Sequence, residues 1–249
     1  MFKIVGHRIN PSRKIIRKAI SLSSPRKSIE ILLKETKIQK KQGCDIIDVN
    51  LPEKILEKYL EKINDVDIWI DSKSGEEFYL SRFDCVKAIN SVNYQNLSKL
   101  NDCLEFIKNR NKKVVISPVS GITGTGSPPT LEDRIRTSES LIDKVVEMGI
   151  DTSQIIVDPC VFPIIMELPA VSLSILEYFK KKGFQTVVGI SNTSFGIPQN
   201  LKSKVNSMYL YIVLSIYSVY KNQDYIMCNY SDREIRSVVK FFKNFGNRK

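Results

Sequence analysis

Asp71, Asn90 and Asp158 each close a short apolar run, and together they offer two carboxylates and a carboxamide. Carboxylates accept from ring N–H groups, and a carboxamide both donates and accepts around a ring carbonyl. The set therefore matches a hydrogen-bonding heterocycle of the aminopyrimidinone type. Asn10, Asp48, Asn50, Ser191 and Asn192 follow other runs in the same way. In a cleft such groups discriminate strongly, because a ligand lacking the pattern leaves them unpaired. Taken singly, each also has an ordinary reading: Asp and Asn end strands by capping the next helix or making a turn, and Asp158-Pro159 is a common turn signal. The recurrence of these types at one run end after another carries the functional reading. His7 is the sole histidine, so a Ser-His-Asp triad would depend on it and a His-based zinc site lacks ligands. A magnesium site built from Asp48, Asp71 and Asp158 is chemically conceivable, but their amide and hydroxyl neighbours serve equally as hydrogen-bond partners. No metal is expected.

Eight apolar runs must position these groups: residues 2–5, 45–47, 68–70, 86–89, 114–116, 155–157, 186–190 and 225–228. Between them lie stretches long enough for a helix, the pattern of a (β/α)8 barrel, in which the C-terminal strand ends build the active site. Ser24 as N-cap, Pro25 at N1 and Gly43 just past the end predict a helix over 25–42. Pro52-Glu53 opens a second, and 75–82 and 95–110 read as the next two. Thr130, an acidic first turn at Glu132-Asp133, and Gly149 bracket another. Later helices fit 169–182, 200–222 and 232–245. The segments 10–24 and 118–130 read as neither helix nor strand. The second, Val119 to Pro129, lacks the Gly-Lys-Ser/Thr of a phosphate cradle and the third glycine of a dinucleotide fingerprint, so a flexible lid over the site is the expectation.

The chain has 249 residues, 42% hydrophobic and 26% charged, the size and composition of one such barrel, so residues 1–249 are expected to form one domain. Five cysteines without a Cys-x-x-Cys pair read as reduced thiols packed as small hydrophobes, pointing to the cytoplasm. The N-terminus enters a strand at once, without the apolar core of a leader peptide. Met208 to Tyr220, the longest apolar stretch, is too short and too rich in Tyr and Ser to span a bilayer, so a buried or oligomer-facing helix is expected there. A formal charge of +11 favours an anionic ligand or acidic partner, yet no aromatic-basic signature for nucleic acid accompanies it.

Gly6-His7-Arg8-Ile9-Asn10-Pro11-Ser12, Asp45-Ile46-Ile47-Asp48-Val49-Asn50, Asn90-Ser91, Asp158-Pro159 and Gly189-Ile190-Ser191-Asn192-Thr193-Ser194-Phe195-Gly196 occur in the order seen in pterin-binding methyltransferases. From residue 4 to about 229 the chain resembles the methyltetrahydrofolate:corrinoid protein methyltransferase family. That family includes the folate-binding domain of cobalamin-dependent methionine synthase and is similar in fold to dihydropteroate synthase. The resemblance implies a dihydropteroate synthase-like barrel holding the pterin of a methylated tetrahydrofolate, or a related tetrahydropterin, through Asp71, Asn90 and Asp158. Asn10, Asp48, Asn50, Ser191 and Ser194 complete that grip. It also implies that Asn192 hydrogen-bonds near N5, the nitrogen bearing the methyl group. The methyl acceptor is then cobalt in a corrinoid, cobalamin being the familiar one, on a partner protein, and a homodimer is the common assembly.

Three positions depart from the family pattern: His7 stands where Glu is usual, Asn90 to Tyr94 form a bulkier strand-four turn, and Tyr230 follows Asn229 where proline is common. They bear on substrate preference and activity. Two other functions stay open. Dihydropteroate synthase shares the barrel, although its family carries a lysine after the Gly-x-Ser of strand seven and a Ser/Thr-Arg-Pro loop after strand two. Asn192 and Leu51-Pro52-Glu53 stand at those places here. A non-catalytic pterin-binding subunit of a corrinoid complex would need the grip without a competent N5 environment.

Overall fold

The computed structural model describes residues 2–119, 128–194, 223–230 and 233–245. Its centre is a closed, all-parallel barrel of eight strands in chain order: β1 (Lys3–Ile9), β2 (Ile46–Val49), β3 (Asp67–Asp71), β4 (Val86–Val92), β5 (Lys113–Ile116), β6 (Ile155–Val157), β7 (Gln185–Gly189) and β8 (Tyr225–Cys228). The ring closes where Lys3 to Gly6 of β1 run alongside Tyr225 to Cys228 of β8. Helices α1 (Lys14–Ile20), α2 (Pro25–Gln42), α3 (Glu53–Leu60), α4 (Leu104–Asn109), α5 (Leu131–Glu147), α6 (Pro169–Lys181) and α7 (Arg233–Phe245) belong to the outer layer. Among the described residues no helix is long and apolar enough to cross a membrane. The expected helix over 200–222, the stretch from Met208 to Tyr220 and the central part of the 118–130 lid fall outside the described residues.

Local signals explain the helices that sequence predicts well. Ser24 accepts the Lys27 N–H, Pro25 begins α2, and Gly43 takes φ of +103° as its C-cap, the left-handed conformation in which a Cβ is strained. Thr130 likewise accepts the Asp133 N–H to start α5.

Three expectations are corrected. The segment 10–24 contains α1, whose N-cap Arg13 makes no side-chain cap and whose first turn has no acidic residue. It is held instead by burying Ile16 and Ala19 and by the Ser28 hydroxyl of α2 donating to the Ala19 carbonyl at 2.7 Å. The expected helix at 75–82 is a 3-10 turn, Phe78–Arg82, and the one at 95–110 begins as a 3-10 turn, Leu97–Cys103, before α4. Strands β1 and β4 also run past their apolar runs, so that Gly6 to Ile9 and Asn90 to Val92 are strand residues, with register shifts against their neighbours.

The barrel interior follows from the two-residue period of a strand. Val5, Ile46, Trp69, Ala88, Val115, Ile156, Val187 and Tyr225, one from each strand, pack as a single apolar layer. The Trp69 and Tyr225 rings meet across it at 5.1 Å between centroids. The outward-facing residues form two further clusters against the helices. One of these contacts constrains β1: a Cβ on Gly6 would lie 2.5 Å from Gln39 Oε1 and 2.7 Å from Cys44 Sγ, so glycine lets α2 pack close.

Candidate functional site

One strand period beyond the apolar layer, toward the C-terminal strand ends, the inward positions are occupied by His7, Asp48, Asp71, Asn90, Ser117, Asp158, Gly189 and Met227. The change from hydrocarbon to polar groups thus occurs in one step on β1 to β6, whereas Gly189 and Met227 keep the β7 and β8 positions apolar. Six of the residues named from sequence, Asn10, Asp48, Asn50, Asp71, Asn90 and Asp158, come together here. Asp71 and Asn90 are direct register partners on β3 and β4. The Asn90 amide donates to Asp48 Oδ1 at 3.0 Å, in a buried contact spanning 42 positions of sequence. Asn10, just past β1, donates to Asp71 Oδ2 at 3.3 Å, and Asn50, just past β2, also hydrogen-bonds the Asp71 carboxylate. Asp158 accepts the Cys160 N–H on Oδ1 at 2.8 Å.

Burial of so many carboxylates has an electrostatic consequence. Desolvation, reinforced by the charges of Asp71 and Asp158, pushes Asp48 well above the usual carboxylate range despite the Asn90 hydrogen bond. Asp71 is raised chiefly by burial, with Asn50, Lys73 and Asn10 opposing. Asp158 is pushed up to about 6 by burial, against the stabilising Cys160 N–H. Burial thus makes each of these groups easier to protonate than a free carboxylate. A ligand that presents N–H donors would favour the ionised forms and release protons.

The opposite arc of the ring, from β7 through β8 to β1, carries softer groups. His7 is partly buried, and desolvation lowers it to about 4, with the Cys228 backbone contact opposing. A neutral imidazole has one donor and one acceptor, which suits the Cys228 carbonyl and the Ser191 hydroxyl, whose Oγ lies 3.0 Å from Nε2. Ser191, Asn192 and Ser194 lie on a 3-10 turn, Ile190–Ser194, directly after β7; the Ser194 side chain falls outside the described residues. The Asn192 amide folds back over the strand end, where a Cβ on Gly189 would stand 3.6 Å from Nδ2. It makes no hydrogen bond among the described residues, so its donors are available to a ligand.

Two supports escaped sequence reasoning. Arg134 of α5 is fully buried. It donates to the Pro159 and Cys160 carbonyls at 3.3 Å each and to Ser172 Oγ at 3.2 Å, pairs with Glu167, and lies over the Phe162 ring. This clamp fixes the loop after β6, which holds Asp158 through Cys160 at a left-handed φ of +60°. In sequence, Arg134 belongs to a charge-rich helix and nothing local distinguishes it from its solvated neighbours. The second support is Asn96, which accepts the Asn93 N–H at 2.9 Å and donates to the Ser91 and Lys73 carbonyls. It ties the turns after β3 and β4 together. Tyr94, part of the bulkier strand-four turn, points away from the ring and donates to Ser140 of α5 at 2.6 Å.

Residues 53–219 match the family model described as pterin binding enzyme. The methionine synthase of Mycobacterium leprae (strain TN) is 25% identical over 237 residues, covering 84% of this chain and 19% of that protein. The chain thus spans about a fifth of the length of this curated relative. Among solved structures, dihydropteroate synthase of Yersinia pestis superposes with a TM-score of 0.72 at 13% identity, covering 100% of this chain and 95% of that one. The 7,8-dihydropteroate synthase of Vibrio fischeri ES114 gives 0.66 at 17% identity, with coverages of 100% and 94%. At these identities the likeness is one of fold.

Proposed function

The chain belongs to the pterin-binding enzyme family, and from that premise we propose that it moves a methyl group between N5 of a tetrahydropterin, methyltetrahydrofolate or an analogue, and the cobalt of a corrinoid protein. The observation that carries this reading is Asn192, an amide with uncommitted donors just past β7, where the synthase pattern has lysine after Gly-x-Ser. The match to a methionine synthase over most of the chain supports the same reading.

In this reading Asp71, Asn90 and Asp158 bind the aminopyrimidinone edge, with Asn10, Asp48 and Asn50 holding that arc in place. Asp158 Oδ2 has no partner among the described residues and is the free acceptor for a ligand N–H. The partner's corrinoid supplies the electron pair of cobalt(I) that takes the methyl group. As the N5–CH3 bond breaks, its electron pair stays on nitrogen, which must gain a proton or a strong hydrogen bond. Asn192, with Ser191 beside it, supplies preorganised polarity there and strengthens its interaction as charge develops. His7, neutral near pH 7, acts here by orienting the Ser191 hydroxyl and is a poor acid. Cytoplasmic location, a single domain and a homodimer belong to this proposal as well.

A dihydropteroate synthase-like activity is the second reading, favoured by the fold shared with the synthases. One experiment separates the two. The protein is incubated with methyltetrahydrofolate and cobalt(I) cobalamin, and in parallel with a dihydropterin diphosphate and p-aminobenzoate. Conversion of the cobalt(I) absorbance to that of methylcobalamin is the expected result; condensation in the second assay with no methyl transfer in the first would reverse the assignment.

A further inference from the structure

We propose that Arg13 is the seat for an anionic tail, a carboxylate in particular, carried by the heterocycle bound in the ring. This rests on the pterin reading and adds the part of the ligand that the ring itself does not contact. Arg13 lies in the turn between β1 and α1, three residues beyond Asn10, and its N–H donates to the Asn10 carbonyl at 3.0 Å. The turn is pinned from several sides. Asn10 bonds Asp71 on one side and accepts the Ser12 N–H at 2.9 Å on the other, while Arg17 donates to the Pro11 and Ser12 carbonyls at 2.9 and 2.8 Å. The backbone of Arg13 is therefore fixed at the rim of the site.

Its side chain is half-buried yet makes no hydrogen bond or ion pair among the described residues. Partly burying a guanidinium without a partner is unfavourable, and five N–H donors remain for a planar anion. The nearby carboxylate that acts on it, Glu35, is already taken by Arg8 at 2.8 Å. Arg13 is also close enough to act electrostatically on His7 in the ring. Lys73, exposed on the turn after β3, acts in the same way on Asp71 and makes no ion pair among the described residues. Cations thus flank β2 on both sides, above a ring whose own charged groups are acids. A neutral or N–H-rich head inside the ring and a negative tail leaving over the β1–β3 rim would satisfy both. Arg13, the more buried of the two and carried on a pinned backbone, makes the specific contact, and Lys73 adds longer-range attraction.

The test uses calorimetry with two ligands, 5-methyltetrahydrofolate with its glutamate tail and 5,6-dimethyltetrahydropterin without one, on the parent protein and on Arg13→Gln. The parent should bind the tailed ligand more tightly. Arg13→Gln should weaken that ligand on the order of tenfold, the scale of one charge-assisted hydrogen bond, while leaving the tail-less ligand within about twofold. Arg13→Lys should recover part of the difference. Equal losses for both ligands, or no loss for either, would overturn the tail assignment while leaving pterin binding intact. If the parent binds neither ligand, the pterin reading itself fails, and this proposal with it.

Discussion

Two successive layers inside one barrel are built on the same eight strands and do opposite work. The lower layer, from Val5 to Tyr225, is hydrocarbon and aromatic surface removed from water. The upper layer, one strand period later, buries Asp48 and Asn90 and leaves His7, Asp71 and Asp158 partly exposed. The first stabilises the fold by burial and close packing. The second costs stability, because its carboxylates are drawn away from water and form no direct ion pair among the described residues. The difference teaches what the proposed pterin would supply: N–H donors for a layer of carboxylates that the fold itself leaves short of partners.

The largest effect that would sharpen this contrast is expected below the site. Trp69→Ala removes the largest side chain of the lower layer and should destabilise the protein by about 3–5 kcal/mol, read from urea unfolding, with its m-value unchanged. A loss under about 1 kcal/mol would mean that the layer is poorly packed.

Next comes Asn192→Ala. Its effect should fall on single-turnover methyl transfer, by about 2–4 kcal/mol if the amide acts like an oxyanion-hole donor, with a smaller loss of pterin affinity. Transfer at the parent rate by a folded, pterin-binding variant would rule out action at N5.

In the upper layer, Asp158→Ala should cost about 1–3 kcal/mol of pterin binding by leaving a ligand donor unpaired, and calorimetry measures it directly. The isosteric Asp158→Asn should weaken binding yet raise the stability of the ligand-free protein at pH 7, the inverse of Trp69→Ala. The sign follows from linkage. Burial holds Asp158 at about 6 in the folded chain, so its favourable contribution is complete below the unfolded value and is lost as pH rises through about 6. Lower stability in Asp158→Asn than in the parent at pH 7 would place Asp158 with the packing residues.

The smallest effect is a pH dependence of affinity. If the ligand donates N–H groups to an ionised Asp158, affinity should be flat above about pH 7 and fall roughly tenfold between pH 7 and 5. Asp158→Asn should flatten that slope, whereas a slope surviving the substitution would assign the titration to Asp48 or Asp71.

Much of this molecule was legible locally. The strand–helix alternation, the Ser24-Pro25 and Thr130 starts, the Gly43 stop and the polar types at strand ends all depend on residues a few positions apart, where periodicity and capping operate. Helix α1 was not, because its N-terminus has no side-chain cap and it is stabilised by what it packs against. Arg134 was not, because a buried arginine and an exposed one look alike until α5, the β6 loop and α6 come together. Closure and register of the barrel alone decided that Asp48 meets Asn90, that Asn10 reaches Asp71 and that Ser191 faces His7. The raised carboxylates and the lowered histidine depend on collective desolvation, which has no counterpart in a linear chain. Sequence thus determined which chemical groups the strand ends carry. Only the tertiary structure decided which of them share a layer, because that depends on contacts between residues far apart in the chain.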